Sequence, residues 1–433
     1  KPYAAKELIG ALKNEVNIPI HLHTHDTSSI QSATYLMAIE AGVDVVDVAL
    51  GGMSGLTSQP NFNSLVEMMR FHQRELPFDI NSLNQFSNYW ETKRKYYYPF
   101  ESDLKAGTAE VFEHEVPGGQ YSNLKPQAYA LGLGDQFNLI KERYKEVNLL
   151  FGDLVKVTPS SKVVGDMAQF MVSNKLTVQD VLEKGENLSF PESVKALFRG
   201  DLGQPKGGFP RELQRLILKG EEAYTTRPNE HLEPIDFDSE FQSFLDKYQP
   251  DYSKELKITD FISYKLYPKV WKDAYQNYLK YDDVSVIPTK NFFYGMEPLE
   301  ETVFEIAPGK TIIVSLLSVG PANNEGQRTL FFKVNGQTRT VEIQDKSIAV
   351  ESIQNKKIDT DRPEQIGAPL QGLLSTILVE KGEEVKKNQP LFIIEAMKME
   401  TTVTANFKGK VTHVVLNDGT MVYADDWVLT IEK

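Results

Sequence analysis

The chain has 433 residues, of which 41% are hydrophobic and 25% charged, proportions that are ordinary for a globular protein. A chain of this length is expected to form about two to four domains, each with its own core. Its net charge of −13 argues against non-specific nucleic-acid binding, and the absence of cysteine excludes disulfides and thiolate chemistry. No secretory signal is evident and no apolar run reaches the roughly 18 residues of a membrane span, so we expect a soluble intracellular protein.

The first 50 residues predict alternating helices and strands. Amphipathic helices are predicted for residues 1–16 and 28–42, with a strand between them, and the apolar run 43–50 is typical of a strand buried in a parallel sheet. Helix, strand, helix and strand in this order predict β/α units. In a TIM barrel the chemistry occurs at the carboxyl ends of the strands, which is where the segment HTHDT (23–27) would lie.

Three of the seven histidines fall in the first predicted strand, and strand alternation places His21, His23 and His25 on one face. Neutral imidazoles bind divalent metals, and two of them two residues apart on a strand can share one ion. Zn or Mn suits histidine and carboxylate ligands better than Mg does. The alternative is a polar edge strand whose histidines bind no metal.

Residues 60–285 are predicted to be mostly helical, interrupted by polar loops such as 115–124. The segment TPSSK (158–162) fits a helix start with serine caps and an early proline. Such a helix end leaves backbone N–H groups free and attracts anions, and Lys162 adds positive charge. Helix capping alone is the alternative explanation of this segment.

A β-rich region follows the predicted helices. Asn335-Gly336 lies between two strand-like runs and is a strong signal for a two-residue hairpin turn. The polar run 355–365 after this region predicts a linker.

The last part of the chain is a duplicated module. Residues 368–395 and 405–432 align without a gap at an offset of 37, and both halves contain short alternating strands separated by glycine turns. Two such halves are expected to pack as two sheets with approximate two-fold symmetry. Lys398 lies in the connection between the halves, so we expect it on an exposed hairpin, where a lysine amine is a good covalent attachment point.

The duplicated module closely resembles the biotinyl, or biotin carboxyl carrier, domain. The resemblance rests on Ala396-Met397-Lys398-Met399, the signature of that family, and covers residues 367–433. Lipoyl domains share the fold but usually lack a methionine on both sides of the lysine. The resemblance implies biotin linked to Lys398 as an amide, carrying a carboxylate between sites.

Three further segments resemble the carboxyltransferase domain of the pyruvate carboxylase family: HTHDT, the PGGQY loop (117–121) and TPSSK. The resemblance implies that His23 and His25 are metal ligands and that His21 is structural. It implies Thr158 as the proton shuttle between biotin and the pyruvate methyl group, and a biotin-facing pocket formed by Gln120, Ser161 and Lys162. In that family the remaining ligands, an aspartate and a carbamylated lysine, come from earlier strands that this chain does not contain.

The predicted fold is therefore multidomain, α/β plus β. We expect the C-terminal part of a TIM-type (β/α)8 barrel with a helical extension at 1–287, and part of a central tetramerisation and allosteric domain at 288–352. A linker at 353–366 and a two-fold-symmetric biotinyl β-sandwich at 367–433 would follow. Because two β/α units alone would expose long strand edges, we expect the sequence to be a C-terminal part of a longer polypeptide.

By this resemblance the chain is expected to transfer a carboxyl group from carboxybiotin to pyruvate, giving oxaloacetate, and to be inactive by itself. An absent biotin carboxylase domain would use ATP, Mg and bicarbonate. The expected partners are biotin protein ligase, further copies forming a homotetramer, and acetyl-CoA as activator, with no nucleic acid and no membrane. The compartment would be the cytoplasm of a bacterium or the mitochondrial matrix of a eukaryote.

Two alternatives stay open. The chain could belong to another biotin-dependent carboxyltransferase, such as an oxaloacetate decarboxylase α subunit or a transcarboxylase subunit. It could also be a carrier and assembly module with no activity of its own. The β-rich region 290–345 favours the pyruvate carboxylase family over the first alternative.

Overall fold

The computed structural model describes residues 1–323, 326–345, 355–359, 362–396 and 399–432. The chain divides into two compact units, one formed by Lys1–His231 together with Gln354–Lys433, the other by Leu232–Ile353. Among the described residues, no helix is both long enough and apolar enough to cross a membrane.

The first unit begins with two helices and two short strands. In chain order these are α1 (Pro2–Glu15), β1 (His21–Leu22), α2 (Gln31–Glu40) and β2 (Val45–Val46). The two strands pair in parallel, His21 opposite Val45, and the helices pack against them over a core that includes Tyr35. This confirms the predicted alternation of helices and strands. The expectation of a buried strand at 43–50 is wrong, because β2 is two residues long and the side chain of Val45 is 44% exposed.

Nine helices follow in the described part of this unit, which confirms the helical prediction. Their bounds are α3 (Phe62–Met68), α4 (Ile80–Arg94), α5 (Val111–His114), α6 (Gly118–Ala130), α7 (Phe137–Leu150), α8 (Ser160–Ser173), α9 (Val178–Lys184), α10 (Glu192–Arg199) and α11 (Arg211–Leu218). Single 3-10 turns occur at Gly51–Met53, Tyr98–Phe100, Gly134–Gln136, Gly185–Asn187 and Pro228–His231. Helix α8 is central, since 11 of its residues are buried.

The repeat module forms two four-stranded sheets. The labels β3–β6 belong to four strands of the second unit, which is described below. The strands of the repeat module are therefore β7 (Gln365–Gly367), β8 (Gly372–Ile377), β9 (Glu384–Val385), β10 (Pro390–Ala396), β11 (Met399–Thr404), β12 (Gly409–Val414), β13 (Met421–Val422) and β14 (Trp427–Glu432). One sheet has the order β11-β10-β8-β13 and the other β7-β14-β12-β9. Shifting β8, β9 and β10 by 37 residues superimposes them on β12, β13 and β14 in the sequence, which confirms the predicted duplication. We call residues 365–432 the carrier module.

Part of the predicted linker contacts the repeat module. Within residues 355–359, Asn355 donates a hydrogen bond to Asp426 at 2.8 Å, and Lys357 forms an ion pair with the same carboxylate at 2.8 Å. The backbone N–H of Ile358 donates to the carbonyl of Asp425. These residues are therefore attached to the carrier module, because a buried aspartate and adjacent backbone groups provide them with partners.

The second unit combines helices with one antiparallel sheet. Its helices are α12 (Phe237–Tyr248), α13 (Ile258–Leu266), α14 (Pro268–Tyr281) and α15 (Thr289–Tyr294), with a 3-10 turn at Val284–Val286. Its strands are β3 (Glu301–Ala307), β4 (Lys310–Ala322), β5 (Gln327–Val334) and β6 (Gln337–Gln344), in that spatial order. Asn335 and Gly336 have φ values of 46° and 85°, which a two-residue hairpin turn between β5 and β6 requires, so that prediction is confirmed.

Two glycines at equivalent positions of the repeat permit close contact between strands. A Cβ atom on Gly372 would lie 2.6 Å from the carbonyl oxygen of Glu395, and one on Gly409 would collide with the carbonyl oxygen of Glu432. Backbone atoms cannot move aside as a flexible side chain can. We therefore expect Gly372→Ala and Gly409→Ala each to lower the free energy of unfolding of the carrier module by about 1–3 kcal/mol.

The rates of hydrogen exchange of the β8 and β12 amides measure this loss of stability. The matched control is Gly10→Ala in α1, where no atom outside the helix's own backbone lies within 4 Å of the added methyl group. Alanine there should stabilise its helix by up to about 1 kcal/mol. Unchanged exchange protection in Gly372→Ala and Gly409→Ala would contradict the close-contact explanation.

The buried histidine at the end of α5 makes the stability of the first unit depend on pH. His114 is 7% exposed, and its Nδ1 accepts a hydrogen bond from the backbone N–H of Val116 at 3.0 Å. Burial, with the nearby charge of Lys141, lowers the pKa of His114 to about 4, whereas the unfolded chain has the ordinary value near 6.5. As the pH falls from 6.5 to 4 the unfolded chain gains a proton that the folded chain does not, so about 2–3 kcal/mol of stability is lost.

Urea unfolding at several pH values tests this dependence. His114→Gln should lose much of the slope between pH 6.5 and 4, and His413→Gln, which removes an exposed histidine of the carrier module, should retain it. An equal slope in both variants would show that other groups cause the dependence.

Candidate functional site

The predicted histidine cluster is organised by an aspartate on the neighbouring strand. His21 Nε2 lies 2.8 Å from Asp47 Oδ1, and His23 Nδ1 lies 2.7 Å from Asp47 Oδ2. These two hydrogen bonds hold the pKa of Asp47 below its usual range. The sequence analysis missed Asp47 because it treated residues 43–50 as one apolar strand. The parallel register could have found it, since pairing His21 with Val45 sets His23 level with Asp47.

The hydrogen-bond partners determine which ring nitrogens carry protons. The ionised Asp47 only accepts hydrogen bonds, so His23 donates through Nδ1. The carbonyl oxygen of Thr57 also only accepts, so His25 donates to it through Nδ1, at 2.5 Å. In the neutral imidazoles both Nε2 atoms therefore have free lone pairs, and these two atoms lie 3.4 Å apart.

This arrangement of the two Nε2 atoms fits one shared metal ion. Two nitrogens bound at about 2.1 Å and at a tetrahedral angle are separated by about 3.4 Å. Hydrogen bonding of each Nδ1 to a carboxylate or a carbonyl is the usual outer-sphere support of a metal-binding histidine. Among the residues that the structure describes, no group of three or more His, Cys, Asp and Glu side chains could hold a metal. The described residues thus present two nitrogen lone pairs at a spacing that one ion could share, and His21 contacts the Asp47 carboxylate that orients His23.

The PGGQY loop lies directly against His25. A Cβ atom on Gly118 would lie 2.7 Å from His25 Cβ and 2.6 Å from Thr27 Oγ1, and one on Gly119 would lie 3.5 Å from His25 Cε1. Larger residues at position 118 would therefore displace the histidine. The two glycines explain the composition of the loop, because they allow the first turn of α6 to approach the histidine segment.

Two buried polar groups near this contact have no hydrogen-bond partner among the described residues: Thr27 Oγ1 and Gln120 Nε2. Gln120 is 8% exposed and follows the two glycines on α6. Its amide lies against α8, where a Cβ atom on Gly165 would be 2.8 Å from Gln120 Nε2. An unsatisfied buried donor is costly unless a ligand or water accepts its hydrogen bond. The predicted Gln120 therefore follows the glycines that contact His25 and directs its amide toward α8.

The TPSSK segment begins α8, as predicted, although without the expected serine caps. The capping position is Pro159, which has no side-chain hydrogen bond, and Ser160 Oγ instead donates to the carbonyl oxygens of Val155 and Val157. The serine hydroxyl faces acceptors of the preceding loop because that loop turns back toward the helix start. Thr158 is exposed, and within the described part of the chain no hydrogen bond joins it to His23 or His25.

Lys162 is held by a buried carboxylate that the sequence analysis did not identify. Its Nζ lies 2.6 Å from Asp166 Oδ2, one helical turn later, and Ser193 Oγ donates to the same oxygen at 2.7 Å. Burial raises the pKa of Asp166, while Lys162 and Ser193 oppose that shift. Ser161 is buried beside this pair, and its carbonyl accepts a hydrogen bond from Tyr144 at 3.2 Å. The i, i+4 spacing of Lys162 and Asp166 was the available signal.

Lys398 lies outside the described residues, so its exposure stays a prediction. The strands on either side of it, β10 and β11, are paired antiparallel, with Ala396 opposite Met399. The structure thus brings His23 next to His25, places Gly118 and Gly119 against His25, and places the Gln120 amide against α8.

Three family models match the chain. The model described as "HMGL-like" matches residues 1–89, "Conserved carboxylase domain" matches 111–315, and "Biotin-requiring enzyme" matches 364–431.

Curated relatives match the whole chain. The pyruvate carboxylase of Bacillus subtilis (strain 168) is 48% identical over 433 residues, and that of Staphylococcus aureus (strain Mu50 / ATCC 700699) is 47% identical over the same length. Each match covers 100% of this chain and 37% of the relative, so the chain spans little more than a third of their length.

Solved structures from Rhizobium etli are similar in fold. The carboxyl transferase domain of its pyruvate carboxylase, solved with pyruvate and biocytin, has a TM-score of 0.73 and 46% identity, covering 80% of this chain and 57% of that one. The complete multifunctional pyruvate carboxylase has a TM-score of 0.71 and 41% identity, covering 99% of this chain and 39% of that one. With these matches and its match to the biotin-requiring model, the chain is similar over its whole length to pyruvate carboxylases, which confirms the resemblance predicted from the sequence.

Proposed function

We propose that this chain supplies the carboxyl-transfer site and the biotin carrier of a biotin-dependent pyruvate carboxylase, which converts pyruvate to oxaloacetate. The observation that carries the proposal is the contact of His25, whose Nε2 lies 3.4 Å from that of His23, with Gly118 and Gly119, in a chain that also matches the biotin-requiring model. The Rhizobium etli carboxyl transferase domain, 46% identical, was solved with pyruvate and biocytin, which supports the same substrate and carrier here.

His23 and His25 would hold a divalent metal, Mn or Zn, through their Nε2 atoms, with Asp47 and the Thr57 carbonyl fixing the two rings. When bound, such an ion acts as a Lewis acid that polarises the substrate carbonyl. The ring orientation comes from the protein, since each Nδ1 already has an acceptor. Further ligands would come from barrel strands outside the described residues.

Thr158 would transfer the proton. Its hydroxyl oxygen accepts a proton from the pyruvate methyl group while its own proton passes to the biotin nitrogen from which CO2 departs. The resulting enolate carbon then forms the new bond to CO2, which gives oxaloacetate and uncharged biotin. Thr158 returns to its starting state, so the hydroxyl is never left charged if both transfers are concerted.

Gln120, Ser161 and Lys162 would form the biotin-facing pocket. The unpartnered Nε2 of Gln120 is a donor available to a carbonyl oxygen, such as that of a ureido ring. Asp166 and Ser193 restrict the ammonium of Lys162 to one direction, which reduces the side-chain entropy lost when a ligand binds. The sequence predicts that this helix start attracts anions. The ion pair with Asp166 weakens the attraction of Lys162 for such an anion.

The carrier would bring biotin to this pocket on Lys398, after attachment by a biotin protein ligase. A tethered group reaches a high effective concentration at a site within its range. The N-terminal strands and helices would be the last two units of a (β/α)8 barrel, and the domains would divide at 1–287, 288–352, 353–366 and 367–433. ATP, Mg and bicarbonate would be used by a further domain. Tetramer formation, activation by acetyl-CoA and the compartment follow from the family alone.

The decarboxylase or transcarboxylase alternative has less support. The four-stranded sheet of the second unit lies in the β-rich region that distinguishes the two hypotheses, and the two curated relatives named above, which match all 433 residues of this chain, are pyruvate carboxylases.

Replacing Thr158 tests the proton-transfer role. In a chimera, these 433 residues would replace the matching part of the Bacillus subtilis relative. Thr158→Ala should then lower oxaloacetate formation by about 10²–10⁴-fold, because no hydroxyl remains to move the proton. Thr158→Ser keeps a hydroxyl and should retain much of the activity.

Biotin detected with labelled avidin provides the control. It should be equal in wild type, Thr158→Ala and Thr158→Ser, and absent in Lys398→Arg. Wild-type turnover by biotinylated Thr158→Ala would exclude the shuttle role. A Lys398→Arg protein that still carries biotin would refute the attachment site.

Replacing Asp47 tests the support of the histidine pair. Asp47→Asn removes a charged acceptor, so His23 is no longer held in the tautomer that leaves Nε2 free, and Mn²⁺ affinity should fall about 10–100-fold. The EPR signal of free Mn²⁺ during titration of the protein measures this affinity without requiring activity. His23→Ala with His25→Ala defines the background from other sites, and His413→Gln is the control for loss of a histidine. Equal affinity in Asp47→Asn and wild type would rule out the support role.

A further inference from the structure

Two adjacent cavities lie where the end of α11 meets the carrier module, both within the first unit. Their volumes are about 230 and 240 Å³, and both are lined by Lys219, Gly220 and Asn388. Lys219 and Gly220 follow α11, whereas Asn388 belongs to the carrier loop before β10. A molecule bound there would therefore contact the helices and the carrier at the same time.

Lys219 is the central charge of these cavities. It ends α11 in a left-handed conformation with φ of 50°, and its backbone N–H donates to the carbonyl of Arg215. The side chain is half-buried, and its ammonium has no hydrogen-bond or ion-pair partner among the described residues. Burial, together with the charges of Lys195 and Lys387, lowers the pKa of Lys219 to about 8, and the charge of Glu186 opposes this shift.

The surrounding charges are predominantly positive. Four cationic side chains line the two cavities, from α10, α11 and the carrier: Lys195, Arg215, Lys219 and Lys387. The acidic side chains that line them are Glu186 and Glu221, and Glu221 is already paired with Lys195 at 2.9 Å. Lys195 is only 12% exposed, so its charge is poorly screened by water. The four cations thus outnumber the two carboxylates, and the lining of the two cavities carries a net positive charge.

Neutral hydrogen-bonding groups complete the lining. Ser189 contributes a hydroxyl from the helical side, and Thr402 and Asn388 contribute a hydroxyl and an amide from the carrier side. Each of these side chains can donate to an oxygen atom. Donors and cations on both walls match the acceptors that a compact oxyanion presents in several directions.

We propose that this junction binds a small oxyanion, such as phosphate, bicarbonate or a carboxylate, and that the bound anion holds the carrier module against the helices. Without the anion, Lys219 on the helical side and Lys387 on the carrier side repel each other. With it, both cations gain a shared partner. Occupancy of the site would thereby regulate how often the carrier leaves this position.

The pH dependence has a defined sign. An anion stabilises the charged form of Lys219, so the anion should bind more weakly as the pH rises above 8 and Lys219 loses its proton. In the absence of the anion, the same loss of charge removes the repulsion from Lys195 and Lys387, so the carrier should dock more firmly at high pH. The other charged side chains that line the two cavities with Lys219 are Lys195, Arg215, Lys387, Glu186 and Glu221.

A single introduced thiol can report docking, because the chain contains no cysteine. Gln371 of the carrier approaches the helical side at a second point, where a Cβ atom on Gly132 would lie 3.5 Å from Gln371 Oε1. In Gln371→Cys, the rate of thiol labelling measures how often the carrier undocks. At pH 7, phosphate about tenfold above its dissociation constant should slow labelling about tenfold relative to chloride at equal ionic strength. At pH 9.5 the slowing should be much smaller.

Lys219→Met in the same background should abolish the phosphate effect, and Lys408→Met, which removes an exposed carrier lysine outside both cavities, should preserve it. Repeating the titration with bicarbonate and acetate identifies which oxyanion is preferred. If labelling is insensitive to all three anions, or if Lys219→Met responds to them as the unaltered protein does, the proposal is wrong. Near-native thermal unfolding of Lys219→Met shows that the variant is folded.

Discussion

The carboxylate of Asp47 accepts hydrogen bonds from His21 and His23, and the arrangement of the histidine segment depends on this shared acceptor. It lies immediately after β2, in register with the residues that follow β1, so the parallel pairing of two very short strands determines its position. By accepting from Nδ1 of His23 it leaves Nε2 free, and the Thr57 carbonyl does the same for His25. The parallel register of β1 and β2, with the acceptors Asp47 and the Thr57 carbonyl, therefore determines the tautomers and ring orientations of His23 and His25. The spacing of their two Nε2 atoms follows from these orientations.

The contact between the histidine segment and the helices likewise depends on a small number of residues. Gly118 allows α6 to lie against His25, and Gly165 allows the Gln120 amide to lie against α8. Any side chain at these two positions would separate the segments that the proposed site needs close together. On the other side of α8, Asp166 connects Lys162 with Ser193 of α10. Since Asp166 is fully buried, removing either partner would leave a poorly compensated carboxylate, which ties the helix start to the helices behind it.

The carrier module is joined to the helical part of its unit by apolar as well as charged contacts. The buried side chains of α6–α11 and of both carrier sheets form one continuous cluster. A carrier that delivers biotin elsewhere must be able to leave such a contact. Opposing lysines beside an apolar contact provide a physical means of adjusting its strength, because the repulsion between ammonium groups changes when one loses its proton or when an anion binds between them. Within residues 355–359, the contacts with Asp425 and Asp426 attach this segment to the carrier module.

The amino-acid sequence by itself determined the local features: the 37-residue duplication, the Asn335-Gly336 hairpin, the helix starting at Ser160 and the alternation of helices and strands before residue 50. Each depends on residues close together in the chain, where periodicity, turn preference and helix propensity act directly. The tertiary structure alone decided the role of Asp47, the burial of Asp166, the glycine contacts of Gly118 and Gly165, and the cationic junction at Lys219. These features join segments that lie far apart in the chain, and burial and electrostatics depend on distances through space that the local pattern does not contain. The buried strand at 43–50 failed as a prediction for that reason, because burial of a strand depends on segments that pack on it from elsewhere in the chain. The serine caps failed for a local reason, since Ser160 Oγ donates to the carbonyl oxygens of Val155 and Val157 in the preceding loop.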